Sequence, residues 1–288
     1  MPFPSPRLWV VAGTLGNPGD FSPRAHEVIR SADLILAEDT RRAGLFFQRH
    51  GVVPSGVMRS FYEHNEEDRI PSVLEALKQG KNVALISDAG TPLIGDPGYR
   101  LVRACRAAGF LVSPVPGPCA PVAALCASGL PPSPFSFLGF LPRQSGDQRR
   151  LFHSWAGMAT TLVFFERNSR LRATLRIALE CLGPREICLA RELTKDHEQI
   201  IHGRLEAHDD MQWDPRGEVT VLIGPPSPPS KTLDTEVDQL LSNEMLSGPP
   251  KKVAARVAGK VHGWSSKEIY ARLMAIAKSG SASSPGNA

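Results

Sequence analysis

Residues 83–98 read Val-Ala-Leu-Ile-Ser-Asp-Ala-Gly-Thr-Pro-Leu-Ile-Gly-Asp-Pro-Gly, an apolar run that turns abruptly into a small, polar loop. The run Val83–Ile86 predicts a short buried strand. The loop that follows holds two carboxylates, two prolines and three glycines, so its backbone is stiff and yet open to close approach by a ligand. Open α/β sheets bind ligands at the carboxyl ends of their strands. The stretch therefore predicts an α/β fold with a binding loop, although Asp88 and Asp96 could serve only as turn or helix caps.

The chain on either side of this stretch repeats the alternation of apolar runs and helical patterns. Ser22 and Pro23 predict the cap and first residue of a helix between two strands, at 8–12 and 34–37. The same criteria predict further strands at 111–118, 162–165, 187–190, 199–202 and 219–223, and helices at 70–80, 101–108, from 120 onward and at 171–182. We therefore predict two tandem α/β lobes, residues 1–115 and 116–228.

The C-terminal region differs in composition from the two lobes. Residues 224–230, Gly-Pro-Pro-Ser-Pro-Pro-Ser, are typical of a semi-rigid linker. An amphipathic stripe from Val237 to Met245, a helix opened by Pro249-Pro250 and ended by Gly263, and a capping box of Ser265 and Glu268 predict three short helices. We predict that residues 231–288 form a small helical module with a disordered tail from Ser279.

The formal charge of +4 on 288 residues is unevenly placed. From Lys251 onward, seven basic side chains accompany one acidic side chain, Glu268. A basic appendage on near-neutral lobes is typical of contact with a polyanion, nucleic acid before membrane, and also of a solvated surface. No apolar run approaches the about 18 residues that a membrane span needs, and the first residues do not resemble a signal peptide. We expect a cytoplasmic protein that does not bind membranes.

Five cysteines are scattered along the chain, without Cys-x-x-Cys spacing or a neighbouring histidine cluster. This distribution argues against a disulfide framework and against a zinc site, so we expect no metal. Cysteines of this kind are typically small buried hydrophobes.

A glycine-rich turn follows the first predicted strand, at residues 13–20. Glu38 lies about 20 residues beyond these glycines, where a dinucleotide fold would place a ribose ligand. The spacing is G-x-x-G-x-x-G with Pro18 inside it, which is weak evidence for a nicotinamide cofactor.

Seven motifs in consistent order carry a more specific signal. They occupy residues 16–20, 37–41, 63–66, 87–98, 116–118, 139–143 and 190–198. Together they resemble the ribosomal RNA small subunit methyltransferase I family, which belongs to the tetrapyrrole-methylase-like group that uses S-adenosyl-L-methionine. The resemblance covers roughly residues 8–223, and the helical tail also fits it.

The resemblance implies a two-lobed α/β methylase, with the cofactor in the cleft between the lobes. It implies transfer of the methyl group to the ribose 2′-oxygen of a cytidine in 16S rRNA of the small ribosomal subunit, by a homodimer. Carried over by position, the residues that line the cofactor pocket are Leu15, Asp88, Ala89, Gly90, Thr91, Cys119, Ala120 and Phe165. The family's usual Tyr-Glu-Ser-Pro-His-Arg is replaced here by Phe-Glu-Arg-Asn-Ser-Arg at 165–170, which removes side chains that could take part in catalysis.

A ribose hydroxyl is a poor nucleophile, so a general base would accelerate its methylation by about 10²–10⁴-fold. The polar motifs supply the candidates Glu38, Asp39, Glu63, His64, Glu192 and Lys195. For each of them an ion pair or an RNA-positioning role is the better expectation, because many polar groups compete. Two other functions stay open: a methylase of the same fold that acts on a small tetrapyrrole or a diphthamide precursor, and a non-catalytic RNA-binding protein that senses the cofactor.

Overall fold

The computed structural model describes residues 5–227 and 231–281, and the chain divides into two compact units between Pro226 and Ser227. The described residues form ten strands and ten α-helices. Within these residues, no helix is long and apolar enough to cross a membrane.

The N-terminal lobe is built on a five-stranded parallel sheet with helices on both faces. Its strands are β1 (Arg7–Val11), β2 (Leu34–Ala37), β3 (Val57–Ser60), β4 (Val83–Ile86) and β5 (Leu111–Val115). Its helices are α1 (Pro23–Ser31), α2 (Thr40–Arg49), α3 (Glu66–Lys78) and α4 (Tyr99–Ala107). The strand order β3-β2-β4-β1-β5 brings the carboxyl ends of β1, β2 and β4 side by side.

Strands β2 and β4 are apolar throughout because both faces of this sheet are covered. Side chains such as Val11 and Ile35 pack against α1 and α2 on one face. Their neighbours in the strands, including Leu8 and Leu36, pack against α3 and α4 on the other. This two-sided burial fixes the register of the strands, since a slip by one residue would exchange the two faces.

The C-terminal lobe contains a mixed sheet of order β6-β7-β10-β8-β9, in which only β6 and β7 are parallel. Its elements are α5 (Ala120–Ala127), β6 (Phe135–Phe140), α6 (Ser145–Trp155), β7 (Thr161–Arg167), α7 (Asn168–Leu182), β8 (Glu186–Arg191), β9 (Gln199–Arg204) and β10 (Glu218–Ile223). Helices α6 and α7 cover one face, and α5 covers the other together with Leu15 from the N-terminal lobe. Two α/β lobes in tandem are thus confirmed.

The second compact unit contains α8 (Asp234–Glu244), α9 (Pro250–Ala258) and α10 (Ser266–Ser281) around their own apolar core. The predicted capping box is confirmed: Glu268 accepts from the Ser265 backbone N–H at 2.7 Å, and the Glu268 N–H donates to Ser265 Oγ at 3.2 Å. The Ser22 cap of α1 is confirmed as well, with Ala25 N–H donating to its Oγ at 3.1 Å.

Several element predictions were wrong or incomplete. Helix α3 begins at Glu66 and carries Pro71 in its interior, whereas the sequence placed its start at the proline. Helix α9 ends at Ala258 rather than at Gly263. Helix α10 continues to Ser281, past the predicted start of disorder, and residues 282–288 and 228–230 of the predicted tail and linker lie outside the described residues.

Four elements escaped the sequence analysis: α2, β3, β6 and α6. Burial of the cysteines was also only partly right, because Cys105 and Cys188 are buried whereas Cys126 is exposed. All five thiols are free.

Candidate functional site

A cleft of about 840 Å³ lies between the carboxyl ends of β1, β2 and β4 and the second sheet. Its volume falls within the range of about 300–1,000 Å³ that is typical of small-molecule sites. Its walls come from the loops after those three strands, from α2 and from the facing ends of β6, β7 and β10. The site therefore forms where polar strand ends of one lobe meet the second lobe.

The loop at 87–98 forms one wall of the cleft and is held by its neighbours. Gly13 N–H donates to Gly90 O at 2.8 Å, and Gly90 N–H donates to Thr14 O at 3.0 Å. The Thr91 hydroxyl donates to Pro118 O at 2.8 Å, which joins this loop to the turn after β5. Gly90 has φ = +70°, a backbone conformation in which a residue with a side chain would be strained. The backbone at the cleft is thus fixed before any ligand binds.

The structure brings together every residue for which the sequence predicts a cofactor contact. All eight line this one cleft: Leu15, Asp88, Ala89, Gly90, Thr91, Cys119, Ala120 and Phe165. The aromatic ring of Phe165 packs edge-on against Phe137, with centroids 5.0 Å apart. These residues offer backbone amides and carbonyls, one carboxylate and an apolar wall on a single surface.

Three acidic side chains, Glu38, Asp88 and Asp96, line the cleft. Burial raises the pKa of Asp96 to about 6, and the nearby carboxylates of Glu38 and Asp88 add to this effect. Burial and then Asp88 raise the pKa of Glu38, and burial raises that of Asp88, although its Oδ2 lies 2.6 Å from the Arg42 guanidinium. The Arg42 guanidinium does not cancel the rise in the pKa of Asp88, so this cluster of three carboxyl groups favours a positively charged group of a ligand.

The loop after β8 joins the two lobes at the edge of the cleft. Glu192 and Thr194 have φ values of +49° and +66°, which is unusual for residues with side chains. Glu192 Oε1 accepts from Lys195 Nζ and from the Glu218 backbone N–H, each at 3.0 Å. Asn17 N–H donates to Thr194 Oγ1 at 3.0 Å across the lobes. These contacts hold the strained loop and direct Lys195 into the cleft.

The candidate bases are only partly brought together. Glu38 and Lys195 line the cleft. Asp39 caps α2, accepting from Arg41 N–H at 2.8 Å and Arg42 N–H at 3.3 Å. Glu63 and His64 lie in an exposed turn outside the lining, and Glu192 sits behind Lys195 as its ion-pair partner.

Several lining residues were not among the sequence candidates. Arg42, Phe46 and Arg49 line the cleft from α2, His50 lines it from the C-cap of that helix, and Phe140 lines it from β6. Both elements escaped the sequence analysis. The i, i+4 spacing of Arg42, Phe46 and His50 is a signal that could have placed these three side chains on one helical face.

Fold and cleft together define an α/β methylase: the chain belongs to the tetrapyrrole methylase family, whose model, described as Tetrapyrrole (Corrin/Porphyrin) Methylases, matches residues 7–209. The fold agrees with solved structures of that group. The methyltransferase CobJ superposes with a TM-score of 0.57 at 21% identity, covering 80% of this chain and 97% of that one. Uroporphyrin-III C-methyltransferase from Thermus thermophilus, complexed with S-adenosyl homocysteine, gives 0.50 at 20% identity, covering 76% and 97%.

Sequence relatives narrow the assignment to the branch of ribosomal RNA small subunit methyltransferase I proteins. The protein of that name from Escherichia coli O157:H7 is 39% identical over 272 residues, 92% of this chain and 93% of that protein. The one from Thermotoga maritima is 43% identical over 220 residues, 75% and 97% of the two chains. The family resemblance predicted from the seven motifs is confirmed.

Proposed function

We propose that the protein uses S-adenosyl-L-methionine to methylate the ribose 2′-oxygen of a cytidine in 16S rRNA of the small ribosomal subunit. The assignment of the substrate rests on one observation: the chain matches, along both lobes and beyond, relatives that are named for methylation of this RNA. The residues that line the cleft support the assignment of the cofactor.

The donor set of the cleft fits this cofactor. Its sulfonium and ammonium groups are cationic, and the cleft holds the incompletely compensated carboxylates Glu38, Asp88 and Asp96. The backbone of 89–91 offers hydrogen bonds to its polar atoms, and Phe165 offers an apolar wall to adenine. Asp88 and Thr91 would hold it on the first lobe, and Cys119 and Ala120 would do so at the start of α5.

When bound, the cofactor supplies an electrophilic methyl group on its sulfonium. The protein's part is then to align the ribose oxygen with that methyl group and to exclude water. Glu38 is the candidate best placed to take the hydroxyl proton: it lines the cleft, its side chain makes no ion pair within the described residues, and burial raises its pKa. Lys195, bound to Glu192, acts as a hydrogen-bond donor that orients the RNA.

Transfer to ribose rather than to the base is tested with labelled cofactor and two decoding-region RNAs, one of which carries 2′-deoxycytidine at the target. A ribose methyltransferase has no acceptor in the second RNA, so label should appear only on the first. Label on the deoxycytidine base would show base methylation instead. Absence of label from both RNAs, in naked form and assembled into the subunit, would contradict the proposed function.

The location, the oligomeric state and the domain boundaries of the protein belong to the same proposal. We infer a cytoplasmic homodimer in which residues 1–115 and 116–228 form the two lobes and 231–288 a separate helical module. The independent apolar core of the module supports the last boundary. Exposed apolar side chains at the edge of the first sheet, Val53 at 78% and Val57 at 64% exposure, support association of copies.

A further inference from the structure

Phe140 occupies an unusual position at the mouth of the cleft. It ends the edge strand β6, in the motif Gly-Phe-Leu-Pro-Arg at 139–143, to which the proposed chemistry gives no role. The pairing of β6 with β7 shifts register between Phe137 and Phe140, and Gly139 there adopts φ = +68°. This irregularity turns the ring into the cleft, where 60% of the residue remains exposed.

The ring of Phe140 contacts Phe165, and more than half of the residue is exposed. Its centroid lies 5.2 Å from that of Phe165, in the wall that we assign to the cofactor. Gly95 packs tightly on Phe165, where a Cβ would lie 2.8 Å from the ring, and a Cβ would make an ordinary contact of 3.7 Å with Phe140. A large apolar ring that is exposed to the cleft is suited to stacking with a planar partner.

Unpaired positive charge lies in the same cleft. Arg49 and Arg167 both line it, both are exposed, and neither guanidinium forms an ion pair or hydrogen bond in the part of the chain that the structure describes. Free guanidinium groups and an exposed aromatic ring in one cleft are the combination that binds single-stranded nucleic acid, with cations on phosphates and rings on bases.

Resting on the proposed function, we propose that Phe140 stacks on the base of the nucleotide to be methylated, while Arg49 and Arg167 contact the flanking phosphates. The place of Phe140 favours the target nucleotide over a distant one. The centroid of its ring lies 5.2 Å from that of Phe165, so a base stacked on Phe140 would lie in the same cleft as the wall that we assign to the cofactor. Phe140 is thus a substrate-positioning residue that selects an unpaired nucleotide.

The experiment compares Phe140→Ala, Phe140→Leu and Phe140→Trp with the matched control Phe135→Ala. Phe135 lies on the same strand, is 41% exposed and does not line the cleft. Methylation kinetics, calorimetric affinity for the cofactor, light scattering and the fluorescence of a pyrrolocytidine at the target position are measured. The last signal is quenched by stacking and requires no turnover.

Loss of the π face should raise KM for the RNA about 5- to 150-fold in the Ala and Leu variants, with unchanged cofactor affinity. The Trp variant should retain wild-type KM and quenching, and Phe135→Ala should resemble the wild type. Leu separates stacking from simple filling of an apolar space, since it keeps the volume without the ring.

Two results would overturn the proposal, and a third would overturn only the proposed function. Unchanged quenching and KM in Phe140→Ala, with wild-type methylation intact, would remove the stacking role and leave the proposed function standing. Lower cofactor affinity or an altered mass in that variant would assign Phe140 to the cofactor wall or to an interface between copies. If the wild type methylates no RNA, the proposed function fails, and quenching without turnover still decides whether Phe140 binds a base.

Discussion

Asp96 shows how one buried carboxylate in the cleft couples folding to pH. Burial, helped by Glu38 and Asp88, raises its pKa to about 6 from an ordinary value of 3.8. The folded state therefore binds the proton more tightly than the unfolded state, and this contribution to stability is complete below about pH 4 and lost as pH rises through 6.

We expect Asp96→Asn to raise the free energy of unfolding at pH 8 by up to about 3 kcal/mol and to change it little at pH 4. Urea unfolding of both proteins at the two pH values measures the difference. Asp210→Asn, at an exposed carboxylate outside the cleft, is the matched control. An equal effect of Asp96→Asn at both pH values would show that the carboxyl is not destabilised in the folded protein.

Removal of the Thr91 hydroxyl tests whether the loop at 87–98 forms part of the cofactor site. That hydroxyl holds the loop at 87–98 to Pro118 O at 2.8 Å, so Thr91→Ala frees the loop and leaves a carbonyl without its partner. We expect the affinity for S-adenosyl-L-methionine to fall by about 5-fold or more, because such losses are worth about 1–3 kcal/mol. Thr91→Ser keeps the hydroxyl and should bind as the wild type does. Calorimetry that finds equal affinities for the Ala variant and the wild type would exclude this loop from the cofactor site.

At the scale of elements, many basic side chains of the C-terminal helices form ion pairs with acidic side chains of the same helical unit. Arg256 and Lys260 pair with Glu244, and Arg272 pairs with Asp234 and Asp238. The exposed Lys251 and Lys252, at the start of α9, make no ion pair in the described part of the chain. Fewer basic side chains are therefore available to bind RNA than the count from the sequence suggests.

We expect the double variant Lys251→Gln, Lys252→Gln to weaken RNA binding and to lower its log–log salt slope by about 1.4–1.8, because each lost phosphate contact removes about 0.7–0.9. Arg256→Gln is the control, since Glu244 already pairs with its charge. Titration of a decoding-region RNA across a salt series measures both. Identical slopes in all three proteins would leave RNA binding to the two lobes alone.

At the scale of the whole molecule, the first sheet exposes apolar side chains at both edges. Val57 lies on the edge strand β3 and Val53 in the loop before it, and Leu111, 52% exposed, lies at the β5 edge. We expect light scattering to report twice the mass of the chain at micromolar concentration, and Val53→Lys, Val57→Lys to halve it by placing charge in an apolar interface. Leu111→Lys, at the opposite edge, should leave the dimer intact. A wild-type monomer would contradict the homodimer.

Much of the architecture could be predicted because it depends on signals within short segments of the chain. Strand β4 is wholly apolar as both its faces are buried, and the caps at Ser22 and Ser265 are satisfied within three residues. Motifs of this kind also sufficed to assign the family and to select eight residues that line one cleft. Local propensity carried the element predictions, and the family resemblance of the motifs carried the eight cofactor residues.

What only the tertiary structure decided is which polar segments meet. The motifs of Glu38, His64 and Lys195 look equally functional in sequence, yet the strand order β3-β2-β4-β1-β5 brings the end of β2 into the cleft and leaves the turn before α3 outside it. Phe140 reaches the cleft through a register shift against β7, more than twenty residues further on. The sequence determined most of the elements and the chemistry they carry, whereas the convergence of the site depends on long-range strand pairing, which no local pattern specifies.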